Sequence, residues 1–427
     1  MEIFIEPSRD RWADLARRVQ RADNEVGSTV RDILEAVREG GDNSLRDIII
    51  KVEGAVPESL KVSEEEFAEA ERRVASDLKE AIKTAYSRIK TFHEKEVPQE
   101  VVWDDGNGIV CRRRFLPIRR VGLYIPGGSA PLFSTILMLG IPSLIAGCRE
   151  RIICTPAAKD GSIAPSILYT AALCGIKDIY KIGGAQAIAA MAYGTQSIRK
   201  VDKIFGPGNR YVLKAKGIVS QDGIAIDMPA GPSEVLVVAD GSAKVPFIAA
   251  DLLSQAEHGP DSQVILVCPD EGMARAVCCE VESQAERLPR KSVVEKALVE
   301  SRIIVLKDPA DRMDFANFYA PEHLILSVDN PEAEALKVRS AGSVFLGNHS
   351  PESAGDYSSG TNHTLPTMGM AAAWSGIGVE SFMHAVSFQS LSKSGLERLG
   401  DTIMTMAEAE GLQAHAQAVR IRLDNNG

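Results

Sequence analysis

The sequence lacks the features that mark membrane-spanning, secreted or nucleic-acid-binding proteins. Its most apolar stretch, residues 134–147, is interrupted by Gly140 and Pro142 and is shorter than the roughly 20 apolar residues of a spanning helix. Residues 1–6 have neither a basic segment nor a long apolar one, so no secretory signal is predicted. The formal charge of −10 argues against sequence-independent binding to nucleic acid, because that binding needs a basic surface.

Cysteine is also scarce, and its pattern excludes two further classes of protein. The seven cysteines are odd in number and contain no CxxC pair, so neither a disulfide framework nor a cysteine metal cluster is predicted. Thiols of this kind are typical of a reducing compartment. The 427 residues are enough to bury a large core without disulfides or a structural metal. We therefore expect a cytoplasmic protein with no membrane and no nucleic-acid partner.

Short apolar runs alternate with stretches of helical length from residue 121 onward. Runs that are apolar throughout predict parallel sheets covered by helices on both faces, which is the α/β class. The loops 124–129 and 227–233 each precede a helical stretch, which suggests two related α/β units, although chance similarity between Gly/Pro loops explains this as well. The runs are 121–125, 151–154, 178–182, 203–205, 235–238, 264–268, 302–306 and 324–327.

The first hundred residues are predicted to be helical. One face formed by Val30, Leu34 and Val37 ends at Gly40-Gly41. Apolar residues at three- and four-residue steps then predict one long helix from residue 67 to residue 92. Its single apolar stripe needs a partner, which could belong to another subunit.

An orthodox GxGxxG dinucleotide fingerprint is missing. Three other loops, 126–129, 183–186 and 206–209, lie between a predicted strand and a predicted helix, and each could present backbone amides to a phosphate. Any one of them could equally be a tight turn. Three together favour a ligand crevice, because parallel sheets bind ligands beyond the carboxyl ends of their strands.

Several polar side chains have the chemistry of a cation site and an acid–base pair. Gln255 and His258 are three residues apart at the end of a helical run, and Glu322-His323 directly precedes a strand. Alone, these could be a helix-end histidine and a surface pair. The remaining candidates are Asp356 and His363 in a polar, Gly-rich stretch, and Glu410 and His415 near the C-terminus. Together they suit a divalent ion with open positions beside a proton-transfer pair.

Seven sequence blocks in the same order resemble those of the histidinol dehydrogenase family. They extend the loops and polar pairs described above and span about residues 10 to 423, so they are far more specific than any short motif. The blocks are 122–131, 183–189, 203–209, 226–234, 253–262, 321–324 and 353–363.

The resemblance implies a role for each candidate residue. Zinc would be held by Gln255, His258, Asp356 and His415, with His415 supplied by the partner subunit of a homodimer. Glu322 and His323 would be the acid–base residues. The substrate would contact Ser233, His363 and Glu410, the last from the partner, as well as His323 and the zinc ligands, and NAD would contact Tyr124, Gln186 and Asn209.

The resemblance also implies the fold and the reaction. Two incomplete Rossmann-like domains, similar to aldehyde dehydrogenases, would comprise 21–123 plus 234–376 and 124–233. Residues 1–20 would serve dimerisation, and 377–427 would contribute to the partner's active site. The implied reaction converts L-histidinol, two NAD and water into L-histidine and two NADH, through a bound aldehyde.

Three alternatives stay open at this point. Aldehyde oxidation could use a cysteine adduct, although Cys148 and Cys154 have apolar surroundings and neither they nor Cys111 adjoins a histidine. A zinc hydrolase could use Glu322 as its base but would leave Gln186 and Asn209 idle. A non-catalytic binding protein would leave Glu322-His323 unexplained.

Overall fold

The predicted α/β class is confirmed in a computed structural model, which describes residues 1–18, 24–54, 57–127, 130–229 and 231–424. All eight predicted apolar runs are strands of two parallel sheets. The strands are β1 (Glu2–Ile5), β2 (Val101–Asp104), β3 (Ile109–Pro117), β4 (Arg120–Tyr124), β5 (Glu150–Thr155), β6 (Asp178–Lys181), β7 (Lys203–Phe205), β8 (Ala225–Ile226), β9 (Glu234–Ala239), β10 (Gln263–Cys268), β11 (Arg302–Val305), β12 (His323–Ser327), β13 (Ser343–Leu346) and β14 (Met383–Leu391).

The two parallel sheets repeat one strand order. The five-stranded sheet runs β6-β5-β4-β7-β8, and the six-stranded sheet runs β11-β10-β9-β12-β13 with β1 added beside β11. In each sheet the chain begins at a central strand, adds two strands on one side, and crosses back to add two on the other. This repetition supports the two related units suggested by the sequence. The strand order reverses between β4 and β7 and between β9 and β12, where α/β sheets open crevices for ligands.

Helices cover both faces of these sheets, and their buried faces supply the apolar core. They are α1 (Trp12–Leu15), α2 (Asn24–Glu53), α3 (Glu64–Arg73), α4 (Ser76–His93), α5 (Phe133–Ile145), α6 (Pro165–Leu173), α7 (Gly184–Tyr193), α8 (Arg210–Gln221), α9 (Val245–Ala256), α10 (Glu271–Ala285), α11 (Lys291–Val299), α12 (Pro309–Tyr319), α13 (Pro331–Ala335), α14 (Glu352–Tyr357), α15 (Lys393–Ala409) and α16 (Gln413–Asp424).

The N-terminal helices agree with the sequence prediction at one point and differ from it at two. The predicted long helix is two helices, because Val74 is extended (ψ 127°) and ends α3 before α4 begins. The predicted stop at Gly40-Gly41 is confirmed, because α2 is broken at Gly41, whose φ of 57° and ψ of −134° are not helical and suit glycine; a second helical stretch follows directly. The apolar stripe is covered within the same chain, since α3 packs on α6 and α4 packs on α5. No second subunit is needed for it.

These contacts also bear on the predicted domain bounds. Residues 21–123 were grouped with the six-stranded sheet, whereas α2 packs on α7 and α8 beside the five-stranded sheet. Strand β1, within the segment 1–20 assigned to dimerisation, pairs with β11 inside the six-stranded sheet. Packing decides this grouping, because an amphipathic helix joins whichever sheet covers its apolar face.

The remaining strands form a small antiparallel sheet with the order β14-β3-β2. Strands β2 and β3 pair as an antiparallel hairpin, and β14 pairs with β3 along its length. Helix α15 packs on β14 and on α16. Within the described ranges, no helix is both long and apolar enough to cross a membrane.

Candidate active site

Glu322 and His323 lie at the amino end of β12, beside the amino end of the neighbouring strand β9. Both side chains are buried, and the backbone of Glu234, the first residue of β9, contacts both of them. Its N–H donates to Glu322 Oε2 at 2.9 Å, and its carbonyl oxygen lies 3.3 Å from His323 Nδ1. Gln255 Nε2 also lies 3.1 Å from this Nδ1, so the tautomer depends on which of the two contacts Nδ1 makes. In the tautomer that donates from Nδ1 to the Glu234 carbonyl, Nε2 has the lone pair that a general base requires.

Burial acts on both members of the pair. It lowers the pKa of His323 to about 3 and raises the pKa of Glu322 well above its usual value, because a low-dielectric interior disfavours either charged form. His323 is therefore a neutral proton acceptor at physiological pH. A divalent cation bound nearby favours the ionised carboxylate, so the chemistry of Glu322 depends on what occupies the adjoining cluster.

That adjoining cluster contains His258, Glu352 and Asp356, whose ligand atoms all lie within 4.8 Å of one another. Gln255 is fully buried, and its Oε1 has no hydrogen-bond partner. Its Nε2 instead lies 3.4 Å from Glu322 Oε2 and 3.1 Å from His323 Nδ1. A buried carbonyl oxygen without a partner is costly unless something binds it. The cluster therefore fits a divalent cation on a histidine, carboxylate and amide set.

Glu352 is the member of this cluster that the sequence analysis missed. It is fully buried, neither of its carboxylate oxygens has a hydrogen-bond partner, and it approaches His323 Nδ1 at 3.7 Å. Asp356 follows it by one turn on α14, and burial raises the pKa of Asp356 to about 7. The four-residue spacing on one helical face was a signal that could have revealed Glu352.

His363 also lies at this site, whereas Ser233 is linked to it only by its position in the chain. His363 Nδ1 is 2.8 Å from the backbone oxygen of Asp356, and burial lowers the pKa of His363 to about 4. The preceding Asn362 donates to the carbonyl of Met138 on α5 at 2.6 Å, so this segment joins the two α/β units. Ser233 directly precedes Glu234.

Glu410 and His415 do not join the cluster within one chain. Both are exposed, at the end of α15 and in the first turn of α16. The backbone N–H of His415 donates to the Leu412 carbonyl at 3.0 Å. The contacts expected of these two side chains with the metal and the substrate are therefore not made within the single chain.

The three predicted nucleotide loops meet at the carboxyl edge of the five-stranded sheet. Tyr124 ends β4, and its hydroxyl accepts a hydrogen bond from Gly184 N–H at 3.0 Å. Gln186 is buried and its Nε2 has no hydrogen-bond partner, so this nitrogen can donate to a bound ligand. Asn209 caps α8 by accepting from Tyr211 N–H at 3.0 Å. In the predicted loop 126–129, Gly128 and Ser129 lie outside the described residues.

A buried ion pair supports the loop that ends at Asn209, and the sequence analysis did not find it. Lys216 Nζ lies 2.5 Å from Asp227 Oδ1, with both side chains almost fully buried. The same lysine donates to the Gly206 carbonyl at 2.9 Å, and Asp227 accepts from Gly206 N–H at 2.7 Å. Both backbone groups of Gly206 are thus held from α8 and from the end of β8.

The cysteines offer little support for a thiol route. Burial raises the pKa of Cys148 to about 11 and that of Cys154 to about 12, whereas a reactive cysteine needs a lowered pKa. Cys111 lies on β3 in the antiparallel sheet, paired with Gln389 of β14. This geometry disfavours the cysteine adduct that the sequence left open.

The two repeated sheets, the nucleotide-type loops and the buried acid–base pair define an α/β enzyme. The family model described as histidinol dehydrogenase matches residues 16–423. The chain belongs to the histidinol dehydrogenase family and is therefore an oxidoreductase, which confirms the resemblance seen in the sequence. Membership in a family of dehydrogenases decides against the zinc hydrolase and against the non-catalytic binding protein.

Individual relatives agree with the family match. The histidinol dehydrogenase of Xanthomonas euvesicatoria is 50% identical over 410 residues, which are 96% of this chain and 95% of that protein. The chain also spans half of a putative bifunctional histidine biosynthesis protein from Photorhabdus laumondii, at 52% identity over 96% of this chain. The crystal structure of histidinol dehydrogenase from Elizabethkingia anophelis has a TM-score of 0.96 and 50% identity, covering 99% of this chain and 98% of that one.

Proposed function

We propose that this chain oxidises L-histidinol to L-histidine through bound L-histidinal, with zinc and two NAD per turnover, as a step of histidine biosynthesis. The observation that carries the proposal is Gln255 Oε1, a buried carbonyl oxygen without a partner, on a residue that contacts the acid–base pair through Nε2 and lies three residues before His258 of the cluster with Glu352 and Asp356. The names of the relatives supply the substrate.

The metal ligands are assigned from the family resemblance, and the cluster that contains His258 and Asp356 supports two of them. Gln255, His258 and Asp356 of one chain, with His415 of a second copy, would hold zinc. Zinc, when bound, would coordinate the imidazole and amine nitrogens of the substrate and so orient its carbinol carbon. His363 lies beside Asp356 of the cluster, Ser233 directly precedes Glu234, and both are assigned to the substrate together with Glu410 of the second copy.

The proton transfers belong to the pair on β12. His323 Nε2 takes the hydroxyl proton of the alcohol as the carbinol carbon gives up a hydride, and the aldehyde results. Glu322 takes a proton from water, whose oxygen adds to the aldehyde carbon, while the proton held by His323 passes to the carbonyl oxygen; this forms the hydrate and returns His323 to its neutral form. His323 then takes a hydroxyl proton of the hydrate during the second oxidation. NAD, when bound, accepts the hydride in each oxidation, and retention of the aldehyde prevents its loss between the two.

NAD contacts are assigned to Tyr124, Gln186 and Asn209 at the carboxyl edge of the five-stranded sheet. The assignment rests mainly on Gln186, because its buried Nε2 has no hydrogen-bond partner and can donate to a ligand. The edge lies where the strand order reverses between β4 and β7, which is where nucleotides bind α/β sheets.

The working unit is proposed to be a cytoplasmic homodimer with shared active sites. Glu410 and His415 are exposed in the single chain. Large apolar side chains are exposed on the same terminal region and on the antiparallel sheet, a composition typical of a subunit interface. They are Val101, Val102, Trp103, Phe388, Met406, Leu412 and Ile421.

The proposal is tested by following NADH absorbance after mixing the purified chain with NAD and L-histidinol. Two NADH per histidinol, lost after treatment with a zinc chelator and restored by zinc, are expected. Chelator removed by dialysis before assay serves as the control. No NADH from a folded, zinc-replete dimer would contradict the assigned substrate, and one NADH per histidinol would contradict the second oxidation.

A further inference from the structure

We propose that Arg18 is a positioning residue for the acid–base pair, and that it acts through Glu234 and Tyr319. The proposal rests on the function proposed above, because it assigns a role in the same reaction. Arg18 lies in the N-terminal segment, far in sequence from the active site, and touches neither Glu322 nor His323 in any described contact. Its effect is transmitted through the two segments that hold them.

The first segment is the start of β9. The backbone N–H of Glu234 donates to Glu322 Oε2 at 2.9 Å, and its carbonyl faces His323 Nδ1 at 3.3 Å. A shift of this one residue therefore moves the hydrogen-bond partner of both catalytic groups. It would also change which nitrogen of His323 carries the proton, since the contact at Nδ1 decides this.

The side chain of Glu234 fixes that residue in place. It is 1% exposed, and Arg18 binds it through two nitrogens, Nε to Oε2 at 2.9 Å and Nη2 to Oε1 at 3.3 Å. The Tyr319 hydroxyl lies 3.1 Å from Oε2 and 2.7 Å from Gln263 Oε1. A buried carboxylate needs such partners, and a two-pronged arginine contact also fixes its orientation.

The second segment is the turn that leads into Glu322. Helix α12 ends at Tyr319, and Ala320 has a left-handed φ of 50° before Pro321 and Glu322. The guanidinium of Arg18 hydrogen-bonds to the Tyr319 carbonyl at this turn and lies 3.7 Å from the centre of the Tyr319 ring. One guanidinium thus ties the start of β9 to the turn before β12, and these are the two places from which the acid–base pair is held.

A salt bridge on the surface would contribute little, but the Arg18 side chain is only 13% exposed. Loss of its contacts would leave Glu234 as a buried carboxylate that lacks its cation, and the strand start would move to reach other partners. Because catalysis depends on placement within fractions of an ångström, such a shift lowers turnover more than it lowers substrate binding.

The test compares Arg18→Met with Arg17→Met, a matched change at the neighbouring exposed arginine whose side chain pairs with Asp14. For folded Arg18→Met we expect kcat to fall by about 10- to 100-fold, with KM for histidinol and for NAD within about twofold. Zinc content stays unchanged, and Arg17→Met behaves as the wild type. Arg18→Lys should recover part of kcat, because a lysine supplies the charge without the two-pronged contact.

A second variant keeps the inference testable if Arg18→Met does not fold. Tyr319→Phe removes only the hydroxyl next to Glu234 and should lower kcat with little change in KM, whereas the control Tyr193→Phe, which loses a bond to exposed Asp222, should not. A lowered thermal midpoint with unchanged kcat in folded Arg18→Met, or in Tyr319→Phe, would show a merely structural role and overturn the proposal.

The outcome separates this inference from the proposed function. A wild-type enzyme that does not oxidise histidinol overturns the function. In that case ¹⁵N NMR of the imidazole of His323, assigned with His323→Gln, decides the positioning role. A His323 signal that shifts in Arg18→Met and not in Arg17→Met supports it, and an unshifted signal overturns it.

Discussion

Glu322 and His323 share one buried environment, and burial affects their protonation in opposite directions. Burial lowers the pKa of His323 to about 3, so its lone pair stays available across the physiological range. The same burial raises the pKa of Glu322, so its ability to take a proton depends on nearby positive charge. The alcohol step needs only the imidazole, whereas the hydration step needs the carboxylate.

Glu322→Gln should therefore separate the two oxidations. Because glutamine keeps the size of the side chain but cannot take a proton from water, oxidation of histidinal should slow by about 100-fold or more, with a smaller effect on histidinol oxidation. Single-turnover NADH formation from each substrate measures this, and Glu332→Gln on the exposed start of α13 is the control. Equal loss of both oxidations would contradict the separate roles.

A substitution of Glu352 gives a second prediction about a single side chain. Its carboxylate is buried without hydrogen-bond partners in the cation cluster, so Glu352→Gln removes a negative charge that a bound cation would balance. We expect zinc affinity to fall by about 10- to 100-fold, measured by competition with a chromogenic chelator. Zinc affinity equal to that of the wild type and of Glu332→Gln would exclude a role of Glu352 at the metal.

At the level of secondary structure, α8 shows how a helix can shape a loop at its own start. Asn209 caps α8, and Lys216 reaches back from its middle to the Gly206 carbonyl while pairing with Asp227. The φ of Gly206 is 124°, and a Cβ at this position would lie only 2.1 Å from the Tyr124 carbonyl oxygen. The loop is therefore fitted tightly against the end of β4.

Lys216→Met should loosen this loop. The substitution leaves Asp227 as an unpaired buried charge, so the free energy of unfolding should fall by about 3–5 kcal/mol, measured by urea denaturation. We also expect KM for NAD to rise by about tenfold while KM for histidinol changes little. The control is Lys214→Met, two residues before Lys216 on α8. An unchanged KM for NAD in folded Lys216→Met would show that the ion pair serves stability alone.

Considering the whole molecule, one chain contains most of the proposed site but leaves Glu410 and His415 in solvent. The helices that carry them pack on each other and on β14, with apolar side chains such as Met406 and Leu412 exposed. In a dimer with a twofold axis, each subunit would bury this surface against the same surface of its partner. This arrangement gives a direct test of shared active sites.

The test mixes two inactive subunits. A hybrid of His415→Ala and Glu322→Gln chains contains one site built wholly from unmutated residues if His415 crosses to the partner. Random exchange should then restore histidine formation to about one quarter of the wild-type rate, while each parent stays near zero. Dimers purified through two different tags give the hybrid alone. Hybrids without activity would place His415 in the site of its own chain.

The sequence predicted some elements well because their signals are local. The apolar runs appear as strands, since a strand covered on both faces needs apolar side chains at every position. The same reasoning gave one helix where α3 and α4 are separate, because a continuous apolar stripe does not reveal the extended Val74. It also left the partner of that stripe open, because α5 and α6 lie far along the chain.

The sequence by itself determined the α/β class and the residues able to bind a cation or move protons, because periodicity and side-chain chemistry are properties of the chain. Only the tertiary structure brought Glu352 into the cluster with His258 and joined Arg18 to Glu234. These contacts connect residues that are distant in sequence. The local spacing marks Glu352 only as a neighbour of Asp356 and does not encode its approach to His258 or that of Arg18 to Glu234. They form when folding aligns β9 with β12, and that alignment decides which carboxylates are buried together and which cation holds them.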